Sequence, residues 1–338
     1  MKVLVLGGSG YIGKRLLEIM ADSSLHNATG ASRGLSISSA LGVGWIKLDT
    51  CDVSALTSAL REFDTVVNCV AGNAQSISQG TKALTDAAAK AGNPRIIHLS
   101  TMSVYGSVEG NIQESAPLNP ELGWYGRAKC IAEEHIRDYV RQGGRAVVLR
   151  PGCVYGENSE LWVGRIARWL QVGRLGELGM YGDGWSNLVY VDDVCQAILL
   201  AMNLTENTGE LSVFNLAAPD SPRWNKYFMD LALALNFTPV KRINRRQIKL
   251  DSLIAGPPLK IAKMLSKRFQ LSDLLLPDYM PPGLMSLWSQ HIHLDSAQAT
   301  QSLGLNWTSY DEGFQNSIAN MQKKNSSSSP KSGAAWKH

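Results

Sequence analysis

Tyr125 and Lys129 stand four residues apart in a helix-favouring stretch, Trp124-Tyr125-Gly126-Arg127-Ala128-Lys129-Cys130. Residues i and i+4 on a helix share a face, so a phenol and an ammonium point into one site. The ammonium favours the phenolate and is expected to lower the phenol pKa from its reference value of about 10. A phenol so tuned can exchange a proton with a carbonyl or alcohol oxygen. A third group, a hydroxyl, joins them on paper. Thr101, in Ser100-Thr101-Met102-Ser103-Val104-Tyr105-Gly106, follows an apolar run ending at Leu99 and can hydrogen-bond a reacting oxygen beside Tyr125, although Ser and Thr at such positions also serve as local caps.

The chain opens with a second chemical signal. The strand-like Val3-Leu4-Val5-Leu6 runs into Gly7-Gly8-Ser9-Gly10-Tyr11-Ile12-Gly13. Gly7, Gly10 and Gly13 allow a tight turn and close approach of backbone to a pyrophosphate at a helix N-terminus, with Tyr11 and Ile12 opening that helix. A nucleotide held there beside Tyr125 and Lys129 makes a nicotinamide and hydride transfer the natural chemistry. After the second strand, an acid would bond the ribose 2′-OH of NAD and an Arg would accommodate the 2′-phosphate of NADP. Thr29-Gly30-Ala31-Ser32-Arg33-Gly34 has no acid, and Ser32 with Arg33 suits a phosphate, so NADP is expected ahead of NAD. Asp49 is read either as an acceptor for the adenine amino group or as a helix N-cap. Ala71 and Gly72 end a buried strand where small residues let backbone approach a dinucleotide.

The elements that must position these groups alternate. Strands are expected at 3–6, 27–32, 43–48, 64–70, 95–100 and 146–150, with helices at 11–20, 54–62, 76–91 and 122–141. Strand–helix alternation means an α/β fold, a doubly wound parallel sheet with helices on both faces that binds ligands beyond the carboxyl ends of its strands. The expected organisation is a nucleotide-binding core with the Tyr/Lys helix over 1–160, a smaller substrate-binding lobe with returning core elements over 161–322, and a low-complexity, disordered tail over 323–338. Residues 237–290 read as irregular and Pro-interrupted.

Composition narrows the function further. The 338 residues carry a net charge of only +4, so no nucleic-acid partner is expected. Five scattered Cys without a CxxC argue for reduced thiols, and a chain that enters a strand directly after Met1 without an apolar leader is expected in the cytoplasm. His291 and His293 have no Cys or acid cluster beside them, so no metal is expected. Charge is concentrated in one place: nine Lys or Arg lie between Lys241 and Arg268 against the single acid Asp251. With the interleaved Leu259, Ile261, Met264, Leu265 and Phe269, the stretch 241–270 is open to three readings: a solvated face, an anionic-substrate site, or a membrane or partner surface.

Taken together these residues resemble the short-chain dehydrogenase/reductase superfamily, in its extended branch of NAD(P)-dependent epimerases, dehydratases and reductases. The likeness runs to about residue 320. Gly7 to Gly13 is similar to the family's cofactor loop, Thr101 to its catalytic Ser/Thr, and Tyr125 with Lys129 to its YxxxK pair. Arg150-Pro151-Gly152-Cys153-Val154-Tyr155-Gly156 resembles the stretch lining the nicotinamide, which implicates Pro151, Gly152 and Val154. Gly182-Asp183-Gly184 with Val189 to Val194 resembles a later signature. The resemblance implies a Rossmann-type sheet with a smaller C-terminal lobe. It makes Tyr125 the general acid/base, Lys129 its tuner and holder of the nicotinamide ribose, and Thr101 the group polarising the substrate oxygen. Two departures bear on the substrate. Cys153 stands where nucleotide-sugar members usually carry Asn, and Trp185 to Tyr190 lacks their usual Arg, a bidentate partner for diphosphate. The implied enzyme is therefore an NAD(P)-dependent oxidoreductase acting between nicotinamide and a carbonyl or secondary alcohol carbon of a small, largely apolar molecule. A nucleotide-sugar epimerase or dehydratase with transient hydride transfer is the alternative, and an NADP-sensing binding protein the second alternative. A homodimer through the helix carrying Tyr125 is common in that superfamily, and the sequence itself does not show one.

Overall fold

Strands that are apolar on both sides are stable only in the middle of a sheet covered on both faces. The computed structural model, which describes residues 1–23, 27–34, 42–119, 123–205, 209–268 and 277–328, places them there. The first half of the chain runs β1 (Lys2–Leu6), α1 (Tyr11–Ser23), β2 (Asn27–Ser32), β3 (Gly44–Lys47), α2 (Val53–Leu60), β4 (Thr65–Asn68), α3 (Ala74–Lys90), β5 (Arg95–Leu99), β6 (Gly110–Ile112), α4 (Trp124–Arg141), β7 (Ala146–Pro151) and β8 (Cys153–Tyr155). The second half runs α5 (Arg165–Gln171), β9 (Leu188–Tyr190), α6 (Val191–Met202), β10 (Ser212–Leu216), α7 (Trp224–Ala234), α8 (Arg245–Leu250), α9 (Gly256–Arg268), α10 (Gly283–Ser289), β11 (Ile292–Leu294), α11 (Ala297–Leu303) and α12 (Tyr310–Ser328).

Seven strands form one parallel sheet in the order β10-β7-β5-β4-β1-β2-β3. This is the Rossmann-type doubly wound sheet. Side chains alternate across it as the pleat requires. Val3, Val5, Val67, Ile97 and Val147 pack with Leu16 and Leu17 of α1 and Val194 of α6. Leu4, Leu6, Val66, Ile96 and Val148 pack on the other face with Leu56 of α2, Leu84 of α3 and Ile136 of α4. The strand order reverses between β1 and β4, and that switch point is where the crevice for a ligand opens.

The sheet does not end with the first half of the chain. β10 returns to pair with β7, and α6 with α11 cover the face beside it. The remaining residues build a lobe on an aromatic core that includes Trp169, Trp224, Tyr227, Phe228, Trp288 and Phe314. Two short parallel pairs, β8–β9 and β6–β11, join lobe to sheet.

Three expectations are corrected by this structure. The expected irregular stretch 237–290 is helical over 245–268 and 283–289: α8, a π-turn at Asp251–Ala255 and α9 follow one another directly, and α10 comes later, with residues 269–276 outside the described residues. A reciprocal cap between Asn244 and Gln247 starts α8, and Pro257 and Pro258 follow the π-turn directly, where the helical hydrogen-bond register already changes. The tail is helical through Ser328 as the end of α12; residues 329–338 lie outside the described residues. Helix α4 begins at Trp124, and residue 122 of the expected 122–141 span also lies outside them.

The first loop holds a close backbone contact. A Cβ at Gly13 would lie 2.4 Å from the Gly7 carbonyl oxygen. Gly13→Ala is therefore expected to force the loop open and cost about 1–3 kcal/mol of stability in urea unfolding; a variant as stable as the parent would show that the loop tolerates a side chain.

Candidate active site

The glycine loop closes against the end of β4. Gly7 adopts a positive φ of 76°, and a Cβ there would meet the Cys69 backbone at 3.0 Å, so only glycine lets strand end and loop approach this closely. Gly10 N–H donates to the Gly7 carbonyl at 2.9 Å, and α1 begins at Tyr11. The resulting cleft is lined by Gly7, Gly10, Ser32, Arg33, Ala71 and Gly72, with Leu48 and Thr50 on either side of Asp49. Among the described residues, no carboxylate lines it. The Ser32 hydroxyl donates to the Gly34 carbonyl at 2.5 Å, and Arg33 is exposed at the rim.

Asp49 itself is exposed, and its carboxylate accepts from Cys51 N–H at 3.0 Å. It is not the N-cap of α2; Asp52 is, accepting from Ala55 N–H at 3.0 Å. Tyr11 and Ile12 open α1. Ile12 packs on the α1–α6 side of the sheet, and the Tyr11 hydroxyl sits 3.1 Å from where a Cβ at Gly156 would be.

Helix α4 supplies the reactive face. Its inward residues Tyr125, Lys129 and Glu133 are one turn apart, and each engages the end of a sheet strand. The Thr101 hydroxyl, on the residue after β5, lies close enough to the Tyr125 phenol to oppose the effect of its burial. Thr101 also accepts from Ser103 N–H at 3.2 Å as the cap of a short 3₁₀ turn, so it serves both as a local cap and as the partner of Tyr125. Lys129 is buried and donates to the carbonyls of Val70 at 3.2 Å and Leu99 at 2.6 Å, bridging the ends of β4 and β5.

The electrostatics differ from the simple expectation for such a pair. Burial pushes the Tyr125 phenol above its ordinary value, opposed only by the Thr101 hydrogen bond. The Lys129 ammonium is spent on two carbonyls, and burial lowers it to about 8, opposed by the nearby Cys69 and Glu133. In the free protein Tyr125 is thus a firmly neutral phenol rather than one softened by its neighbour.

Below the reactive pair lies a network that motif reading did not find. Glu133 accepts from Arg150 at 3.0 and 2.6 Å and from the Ser100 hydroxyl at 2.5 Å, with Glu133 0% and Arg150 2% exposed. Arg150 also donates to the Tyr105 hydroxyl at 2.7 Å, and that hydroxyl donates to Asn215 of β10 at 2.7 Å. The available signal was the spacing: Glu133 continues the Tyr125–Lys129 face by one more turn, and Arg150 interrupts an apolar strand that must lie in the core. Pro151 ends β7, and Gly152 N–H donates to the Leu216 carbonyl at 2.9 Å. Val154 is half-buried against the α1–α6 layer. His293 stacks on Trp185 with ring centroids 4.7 Å apart, and no cluster able to hold a metal exists among the described residues.

A family model described as the NAD dependent epimerase/dehydratase family matches residues 3–217. The chain is 27% identical over 248 residues to the N-acetyl-alpha-D-glucosaminyl-diphospho-ditrans,octacis-undecaprenol 4-epimerase of Escherichia coli O157:H7, covering 69% of this chain and 72% of that protein. It is 24% identical over 340 residues to the decarboxylating sterol-4-alpha-carboxylate 3-dehydrogenase of Dictyostelium discoideum, covering 92% and 98%. In fold it is similar to the UDP-glucose 4-epimerase of Thermotoga maritima solved with UDP-glucose, at a TM-score of 0.71 and 19% identity over 96% of this chain and all of that one.

Two outcomes are expected from the buried charges. Glu133→Gln leaves Arg150 charged and unpaired in the core, and should cost about 3–5 kcal/mol in urea unfolding; a loss within error of zero would mean that water reaches the pair. The Lys129 proton is released in the folded protein at about pH 8 but near 10.5 in the unfolded chain. The unfolded chain therefore binds more protons across that window, and this group adds stability as pH rises through it. Relative to Lys129→Met, the parent should gain in urea midpoint between about pH 8 and 10. Parallel curves for the two proteins would contradict the buried ammonium.

Proposed function

The chain belongs to the NAD dependent epimerase/dehydratase family, and on that footing we propose that it is a nicotinamide-dependent oxidoreductase working on a carbonyl or secondary alcohol carbon, with Tyr125 as the general acid/base. The observation that carries this reading is the convergence of Thr101 and Tyr125 at the end of β5, on a helix whose Lys129 is bonded to the rim of the glycine-loop cleft.

A dinucleotide suits that cleft. Its floor is backbone that a Cβ at Gly7 would obstruct, the N-terminus of α1 faces it, and no acid repels a pyrophosphate. Gly7, Gly10 and Gly13 would hold the pyrophosphate, and Ala71 and Gly72 the adjoining edge. Ser32 and Arg33 would take a 2′-phosphate, which favours NADP, while Asp49 would meet the adenine, and Pro151, Gly152 and Val154 would border the nicotinamide. Bound there, the cofactor supplies a hydride donor or acceptor. The residues do the rest. Tyr125, kept neutral by burial, gives its proton to the substrate oxygen in the reductive direction. Thr101 donates a hydrogen bond to the same oxygen. Lys129, one turn along α4, offsets the charge left on the phenol.

The substrate side lacks a dedicated diphosphate clamp. Between Trp185 and Tyr190 the polar residues are already used: Ser186 donates to the Pro222 carbonyl at 2.5 Å and Asn187 to the Ile292 carbonyl at 2.9 Å. Cys153 is buried in the lobe core. This supports a substrate without a nucleotide. One observation favours the alternative, an epimerase or dehydratase in which hydride leaves and returns. Arg223 lies 4.5 Å over the Trp185 ring, a cation beside the segment that has none of its own.

The test is the absorbance of reduced nicotinamide when the protein is mixed with NADPH or NADH and a panel of ketones and nucleotide sugars. Loss of absorbance with a ketone, lowered about 10²–10⁴-fold in Tyr125→Phe, is expected. A Tyr125→Phe protein with normal turnover would remove Tyr125 from the mechanism. Constant absorbance while a nucleotide sugar is converted would give the site to the epimerase reading.

A further inference from the structure

The helical segment 245–268 is turned inside out. Apart from Ile248, which is buried in the lobe core, its inward side is small or polar. Ser252, Gly256 and Ser266 are buried, and Asp251 is held by Arg174, with Nε 2.7 Å from Oδ2. Lys263 pairs with Asp278, which Arg168 of α5 also engages. Its outward side is apolar. Leu250, Leu253, Ile254, Ile261, Met264 and Leu265 recur at one- and two-turn intervals and are 50% to 67% exposed. They are six of the thirteen large hydrophobics that stand exposed among the described residues. A surface helix facing water carries the opposite pattern, and a contiguous exposed apolar patch marks an interaction surface.

The charges around the stripe say what covers it. Arg246, Lys249 and Lys260 are exposed, and none of them engages an acid among the described residues. The only acid of the segment, Asp251, is already neutralised on the inward side. A second copy related by a twofold axis would set this cationic rim against itself. An anionic lipid surface complements both parts at once, headgroups meeting the rim and the acyl boundary meeting the stripe. No described helix is long and apolar enough to cross a bilayer, so the segment would lie in the plane of the interface.

We propose that the face running from Leu250 to Leu265 seats this protein on a membrane surface containing anionic lipid. This holds independently of which reaction the active site performs.

The experiment is co-sedimentation of the full chain with vesicles of phosphatidylcholine alone, and with about one third phosphatidylglycerol, at low and high salt. Binding to the anionic vesicles at least about tenfold tighter than to the neutral ones, weakened by salt, is expected. Leu253→Glu with Ile261→Glu, both exposed and outside the reactive site, should lose that binding while keeping the parent's circular dichroism. Lys249→Gln with Lys260→Gln keeps the stripe and should erase only the preference for anionic lipid. Failure of the parent to bind either vesicle overturns the proposal, as does binding that survives the Glu substitutions. Sedimentation equilibrium without lipid supplies the last arm: a dimer that those substitutions dissolve would give the face to a second copy and overturn it as well.

Discussion

A buried ammonium suspended between two strand ends is the constraint on which the rest of this molecule depends. Lys129 bonds the carbonyls of Val70 and Leu99, so β4, β5 and α4 have a fixed mutual position at the edge of the sheet where Tyr125 and Thr101 meet. An unpaired cation in that environment would be costly. It is tolerated because the strand ends present oxygens there and because Glu133 and Cys69 lie near enough to oppose its desolvation. One turn further in, Glu133 and Arg150 repeat the arrangement with opposite charge and nearly complete burial. One turn out, Tyr125 meets Thr101. A single helix face thus carries a phenol, a cation and an anion, each locked to a neighbouring strand end. The precision of the outermost group derives from the two beneath it.

Much of this was legible in the sequence because it depends on local signals. Gly7, Gly10 and Gly13 report a backbone approach that the structure measures directly, and the i, i+4 spacing of Tyr125 and Lys129 places both on one face without knowledge of the fold. The apolar runs of β1, β4, β5 and β7 are long enough to identify buried parallel strands. What stayed hidden is non-local. Glu133 and Arg150 are seventeen positions apart and look like ordinary charged residues until burial pairs them. The expected softening of Tyr125 by Lys129 also failed for a non-local reason: the ammonium is engaged by two backbone carbonyls that no spacing rule announces.

The second half of the chain was less legible for a different reason. Hydrophobic periodicity identifies a helix when its apolar side faces the core. In 245–268 the core-facing residues are Ile248, Ser252, Gly256 and Ser266, only one of them a large apolar side chain, and the proline pair at 257–258 resembles an interruption. The helix is there because of its caps and the Arg174–Asp251 and Lys263–Asp278 pairs, not because of an inward apolar stripe. The lobe's aromatic core likewise draws on Trp169, Trp224 and Trp288 from three separate helices, a convergence visible only after folding.

The late return of β10 to the sheet has a consequence for how the molecule is made. β7 is an interior strand only once Ser212–Leu216 has been synthesised and laid beside it. Until then β7 offers an open hydrogen-bonding edge, and the Arg150 cluster lacks Asn215, which caps the Tyr105 hydroxyl. A nascent chain that has already exposed its glycine loop and its Tyr/Lys helix therefore cannot yet close its own core. The first half of the chain and the lobe are obliged to mature together, and a truncation between them would yield an aggregation-prone edge rather than a closed domain.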